Sequence, residues 1–157
     1  MKFIADAMLG RLARWLRFLG FDTLYYPDIR DGRLISIARE EERCILTRDT
    51  RLIQIKGLKD YLLIHSNNTL QQLIEVIGTL QLKQSRLPGR CVACNGLLKM
   101  VPDKNEVKDS VPEYVFLSFN MFSICPECGR VYWEGSHTRH FNEMLEKIKH
   151  LHDNPLT

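Results

Sequence analysis

Long apolar runs are missing from this chain of 157 residues. No stretch approaches the roughly 20 consecutive apolar residues needed to cross a bilayer. The first residues lack the extended apolar core and small-residue cleavage site of a secretory leader. These absences argue against a membrane partner, and the expectation is a cytoplasmic protein. A strong charge of either sign is also missing: the formal net charge is +3, which permits a polyanionic partner without demanding one. Internal repeats beyond a doubled CxxC and low-complexity segments are absent, and the sparse, regularly placed cysteines fit metal-held thiolates in a reducing compartment better than a disulfide framework.

What is present is that of a globular protein, 45% hydrophobic and 26% charged. The charge is uneven. Residues 1–88 hold 14 Lys/Arg against 10 Asp/Glu, and residues 89–157 hold 8 against 9, so the basic surplus belongs to the first part.

Over residues 2–80 short apolar runs alternate with helical stretches. "KFIA" is followed by a helix over 7–19, "TLYY" by one over 32–42, "CILT" by a short helix from about 50, and "YLLI" by one over 69–80. Strands alternating with helices predict an α/β domain with a mainly parallel sheet, since parallel strands need crossover connections. Leu9, Leu12, Leu16 and Leu19 recur at spacings of three and four, giving the first helix an apolar face, and Gly20 ends it.

The segment "QLKQSRLPG" interrupts this rhythm. The division placed there gives an α/β domain at 1–84 and a small module at 85–157. The module contains polar, loop-like "PDKNEVKDS", strand-like "EYVFLSF", and a final amphipathic helix using Phe141, Met144, Leu145, Ile148 and Leu151.

Of five cysteines, four form two CxxC pairs, Cys91/Cys94 and Cys125/Cys128. Each pair sets two thiolates on one tight turn, and two such turns make a tetrahedral cage suited to Zn2+. With four protein ligands such a zinc is structural, holding a segment too small to fold alone. Two disulfides, or a thioredoxin-like redox motif, are the alternatives for the same residues.

Three acids stand at related places: Asp6 after "FIA", Asp31 before "GRLISIARE", and Asp49 after "CILTR". In a parallel sheet the carboxyl ends of the strands open on one edge, where ligand sites form. Clustered carboxylates oppose each other's ionisation, and Mg2+ or Mn2+ relieves that penalty and can activate water. Each acid is equally readable as a helix cap, a role Asp favours.

Arg11, Arg14 and Arg17 advance by three along the first helix, and Arg48 adjoins Asp49. Together they form a candidate surface for a phosphate backbone. His137, in "WEGSHTRH", is a candidate for the same surface, or an ordinary first-turn residue behind a Ser136 cap, with Trp133 packing under the module.

The opening "FIADAMLGRLARWLRFLGFDT", the middle "DGRLISIAREEERCILTRD", the paired "CVACNG" and "CPECGR", and "VYWEGSHTRH" together resemble the Mut-seven C-terminal RNase domain family. The resemblance runs from about residue 2 to 148. It implies a PIN-like α/β/α sandwich followed by a zinc ribbon and a C-terminal helix, and a metal-dependent ribonuclease acting on RNA. By position, Asp6, Asp31 and Asp49 fall on the catalytic acids and the four paired cysteines on the zinc ligands. Where relatives often carry a second acid in "DGRL", this chain has Gly32 and Arg33, and Asp28 is the nearest candidate for a fourth acid. A non-catalytic RNA-binding or adaptor module is the alternative. A protein inhibitor, which a toxin-like endonuclease would need, and a homo-oligomer are indicated by no sequence feature.

Overall fold

A computed structural model describes residues 1–83 and 89–153; in the last helix the side chains of residues 136, 137, 149 and 151–153 lie outside that description. The position 84–85, where the sequence places a domain boundary, falls among the residues not described. Packing divides the chain into two compact units, Met1–Asn95 and Gly96–Thr157.

In the first unit, strands β1 (Lys2–Ala5), β2 (Asp22–Tyr25), β3 (Cys44–Thr47) and β4 (Tyr61–Leu63) form one parallel sheet in the order β2-β1-β3-β4. Helix α1 (Gly10–Phe18), led by a 3-10 turn at Ala7–Leu9, joins β1 to β2, and α2 (Asp31–Glu40) joins β2 to β3. These two connections run in opposite directions along the sheet. Right-handed crossovers therefore put α1 and α2 on opposite faces.

The strand pleat supplies a core for each face. Ile4 and Ile45, paired in register, join Leu34, Ile35, Ile37 and Ala38 of α2 and Leu52 in one buried cluster. Phe3, Ala5 and Leu46 point the other way and are equally buried. The four leucines expected on the inner face of the first helix are all buried, and α1 packs against α3 (Thr69–Leu80). At the end of α1, Gly20 N donates to Arg17 O at 2.9 Å and Phe21 N to Leu16 O at 3.0 Å, with Gly20 at φ 90°. That left-handed cap is the reason a glycine stands there.

The free edge of β2 is covered by side chains. Asn95 Oδ1 accepts from Thr23 N at 3.0 Å, and Arg17 Nε donates to Thr23 O at 2.8 Å. Asp22 is held beside them: Arg43 Nη1 donates to its Oδ1 at 2.7 Å, Asn95 Nδ2 at 2.8 Å, and Arg90 Nη2 lies 3.8 Å from Oδ2. Burial alone would raise the pKa of Asp22. The hydrogen bonds from Arg43 and Asn95 and the charges of Arg43 and Arg90 outweigh it and hold the carboxyl below its usual range.

A carboxylate with a folded pKa below its unfolded one stabilises the fold above the unfolded value, about 3.9, and loses that contribution as pH falls through the folded value. The urea midpoint should therefore drop below about pH 4, and Asp22→Asn should flatten that drop while lowering the midpoint at pH 7.

The second unit carries a three-stranded antiparallel sheet, β5 (Lys99–Met100), β6 (Phe122–Ile124) and β7 (Val131–Trp133), and ends in α5 (Ser136–Asp153). Two sequence expectations change here. "PDKNEVKDS" is largely a 3-10 helix, Lys104–Ser110, and "EYVFLSF" is not a strand but helix α4 (Glu113–Ser118). Its Tyr, Val and Phe favour strands, but Val115 N and Phe116 N both donate to Pro112 O at 3.0 Å. Val111, Val115 and Phe119, four apart, then meet Val107, Phe122 and Trp133 in the small core.

Candidate functional site

The strand order reverses direction at the β1/β3 boundary: the chain leaves β1 toward β2 on one side and returns to β3 on the other. That switch point opens a crevice at the carboxyl ends of the two strands. Asp6 follows β1 directly, and the Arg48–Arg51 turn follows β3.

Asp6 is 6% exposed. Its Oδ1 accepts from Ala7 N at 2.7 Å, capping the 3-10 turn, and its Oδ2 accepts from Thr47 Oγ1 at 2.7 Å. The same Thr47 hydroxyl accepts from Asp49 N at 3.0 Å. One buried hydroxyl therefore links the two turns that carry the acids. Asp49 Oδ1 also accepts from Arg51 N at 2.8 Å, which fixes its own turn. Asp31 is exposed on the first turn of α2, and the capping position is Arg30, with no side-chain bond. The cap reading thus holds for Asp6 and fails for Asp31.

The turn bearing Asp6 is anchored from β2. Tyr25 OH donates to Ala7 O at 2.8 Å, and a Cβ at Gly10 would sit 2.7 Å from the Tyr25 ring. Gly10→Ala should cost about 1–3 kcal/mol by overpacking and dislodge Tyr25, read as a lower denaturation midpoint.

Arg48 Nη2 donates to Asn67 Oδ1, linking the loops after β3 and β4, while its Nε is buried without a partner. Glu75 organises the second of these loops. It accepts from His65 N at 2.9 Å and Ser66 N at 2.8 Å, and also from the Ser66 hydroxyl. Arg11 and Arg14 are exposed on α1.

Arg17, expected beside them on the phosphate surface, has another task. It is 6% exposed, and besides Thr23 O it donates from Nη1 to Val92 O at 3.0 Å and Ala93 O at 3.2 Å. Burial lowers its pKa, with Cys91 and Cys94 pulling the other way. With Nε and Nη1 committed to three carbonyls and the residue buried, this guanidinium serves the fold rather than lying open beside Arg11 and Arg14. The His137 side chain lies outside the described residues.

The paired cysteines come together, with ligand atoms all within 4.8 Å of one another. The four sulfurs of a tetrahedral Zn–S site, with bonds of about 2.3 Å, lie about 3.8 Å apart, so the donor set fits a metal such as zinc. Both turns are built alike. Asn95 N donates to Cys91 O and Gly129 N to Cys125 O, each at 2.8 Å, with Asn95 at φ 72° and Gly129 at φ 78°. Gly96 serves close approach: a Cβ there would meet Cys125 Sγ at 3.0 Å. Cys44 stands apart in β3, its thiol pushed up to about 11 by burial and by Asp60. Among the described residues the four cysteines are the one group of three or more His, Cys, Asp or Glu this tight, and Asp6, Asp31 and Asp49 do not form another.

The model of the Mut7-C RNase domain matches residues 1–145. The chain belongs to the Mut7-C RNase domain family. No curated protein and no solved structure matches significantly. Membership points to a nuclease-like function with RNA as substrate. In this Mut7-C domain the parallel sheet flanked by helices and the four-cysteine cluster agree with the architecture expected from the sequence. No helix among the described residues is long and apolar enough to cross a membrane. Thr47 escaped the sequence reading, its only signal being a hydroxyl two residues before Asp49 at a strand end.

Proposed function

We propose that this chain is a metal-dependent ribonuclease whose Mg2+ or Mn2+ would be held at the β1/β3 crevice by Asp6 and Asp49, with Asp31, which does not meet them in this structure, drawn in as a third ligand when the ion binds. The observation carrying this reading is the shared Thr47 hydroxyl, which ties Asp6 and the Asp49 turn together at the topological switch point. When bound, the ion supplies charge neutralisation and a water of lowered pKa.

The chain's own residues do the rest. Asp6, with one oxygen on Ala7 N and the other on Thr47, is held in one orientation and keeps lone pairs on both oxygens for a ligand. Arg48, next to Asp49 in the chain and steadied by Asn67 through Nη2, pairs with the phosphate through the rest of its guanidinium. Arg11 and Arg14 lie on the helix that starts just after Asp6 and guide the RNA backbone. The four cysteines hold Zn2+ in a structural role, and thiolates of this kind suit the reducing cytoplasm.

The test is cleavage of labelled single-stranded RNA by zinc-loaded protein, with and without added Mn2+. Products that require Mn2+ and disappear in Asp49→Asn are expected. Equal cleavage without added ion, or full activity in Asp49→Asn, overturns the mechanism. Salt-sensitive binding with no cleavage under either ion assigns the chain to the non-catalytic RNA-binding class.

A further inference from the structure

At the carboxyl end of β2 the segment Tyr26–Ile29 arches over α2 and leaves a cavity of about 440 Å³, lined by Tyr26, Pro27, Asp28, Ile29, Arg33 and Ile37. Its floor is apolar: Ile37 and Ile29 belong to or pack against the core cluster on the α2 face. Its rim is polar and uncommitted. Among the described residues, the Asp28 carboxylate and the Arg33 guanidinium make no hydrogen bond or ion pair, and Tyr26 is 45% exposed with its hydroxyl unpaired.

An apolar floor, an exposed aromatic ring, one acceptor and one donor describe a site for a planar heterocycle with polar edges. The volume lies within the range of small-molecule sites, about 300–1,000 Å³. The cavity shares no lining residue with the crevice but is tied to it through the chain. Tyr25, next to Tyr26, bonds Ala7 beside Asp6, and Asp31 lies between Asp28 and Arg33 in sequence.

We infer that this cavity receives one nucleobase of the RNA strand, adjacent to the phosphate held at the β1/β3 crevice. The base stacks on Tyr26, donates from its polar edge to Asp28 and accepts from Arg33. The inference rests on the ribonuclease reading for its substrate, but its test does not require cleavage.

Binding of a short single-stranded oligoribonucleotide is measured by fluorescence anisotropy without added Mg2+ or Mn2+, scanning a single abasic residue through every position. One position should weaken binding to the wild type about tenfold, the scale of base–aromatic stacking. The same abasic residue should cost Tyr26→Ala clearly less, because the stacking it removes is already gone and only the bonds to Asp28 and Arg33 remain to be lost. Tyr26→Phe should behave as wild type. Tyr26 is exposed, so its replacement leaves the core intact.

In a second arm, amide spectra are recorded with the four ribonucleoside 5′-monophosphates and with ribose 5-phosphate. The monophosphates should shift Tyr26, Ile29, Arg33 and Ile37, and the sugar phosphate should not. A flat abasic scan, or an abasic penalty equal in wild type and Tyr26→Ala, overturns the proposal. Monophosphate binding at Tyr26 combined with a flat scan assigns the cavity to a free nucleotide and likewise overturns it. Loss of cleavage in all proteins with the abasic pattern intact would sink the ribonuclease reading while leaving the pocket in place.

Discussion

Asp6→Asn is expected to reduce Mn2+-dependent RNA cleavage about a thousandfold or more, since a bound ion contributes several kcal/mol of charge stabilisation and each 1.36 kcal/mol is tenfold in rate. The substitution is nearly isosteric. Asn keeps one oxygen to accept from Ala7 N or from the Thr47 hydroxyl, so the turn survives while the negative charge is gone. Circular dichroism and the urea midpoint should change little beside the loss of rate. Thr47→Val tests the same geometry from the other side. It leaves the charge on Asp6 but removes the bond to Oδ2 and the acceptor for Asp49 N. Its activity should fall about tenfold and recover in Thr47→Ser. A Thr47→Val enzyme as active as wild type would show that the shared hydroxyl does not position the acids.

Removing the metal from the cysteine cluster should have the largest structural effect. Apparent zinc affinities of four-ligand sites in small peptides correspond to about 10–16 kcal/mol, comparable to the whole stability of a domain. The unit at Gly96–Thr157 has few other resources, its core being Val107, Val115 and Phe122 with partly buried neighbours including Trp133. A strong chelator, or Cys125→Ser, should abolish the near-ultraviolet signal of Trp133 and lower the thermal midpoint by more than about 10 °C. One zinc per chain should be recovered by elemental analysis of the purified protein. Reconstitution with Zn2+ should restore the signal in the chelated wild type but not in Cys125→Ser. A metal-free protein with an unchanged midpoint would remove the structural role.

Much of this was legible from local patterns. The Leu9, Leu12, Leu16, Leu19 spacing marks a buried helix face, and Gly20 marks its end, because helix periodicity and left-handed caps are written within a few residues. The paired cysteines are legible for the same reason. Arg17 was not. It continues a run begun by Arg11 and Arg14, and nothing local sets it apart; its acceptors Val92 and Ala93 are 75 and 76 residues away. Thr47 is hidden likewise, since its partner Asp6 is 41 residues distant. The segment at 113–118 was misread because residue propensity in so short a stretch yields to a preceding proline and a core that selects every fourth side chain.

The covered edge of β2 bears on how the chain is made. Residues 1–83 contain every strand of the parallel sheet, yet two of the groups that close its outer edge, Asn95 and the carbonyls that seat Arg17, come later. During synthesis the sheet is therefore complete before its border is sealed. A nascent chain paused in that interval exposes the amide and carbonyl of Thr23 to any strand nearby. Ribosome-bound chains long enough to bring residue 83, but not Asn95, out of the exit tunnel should accordingly recruit chaperones or self-associate, and chains that also release Asn95 should do so far less.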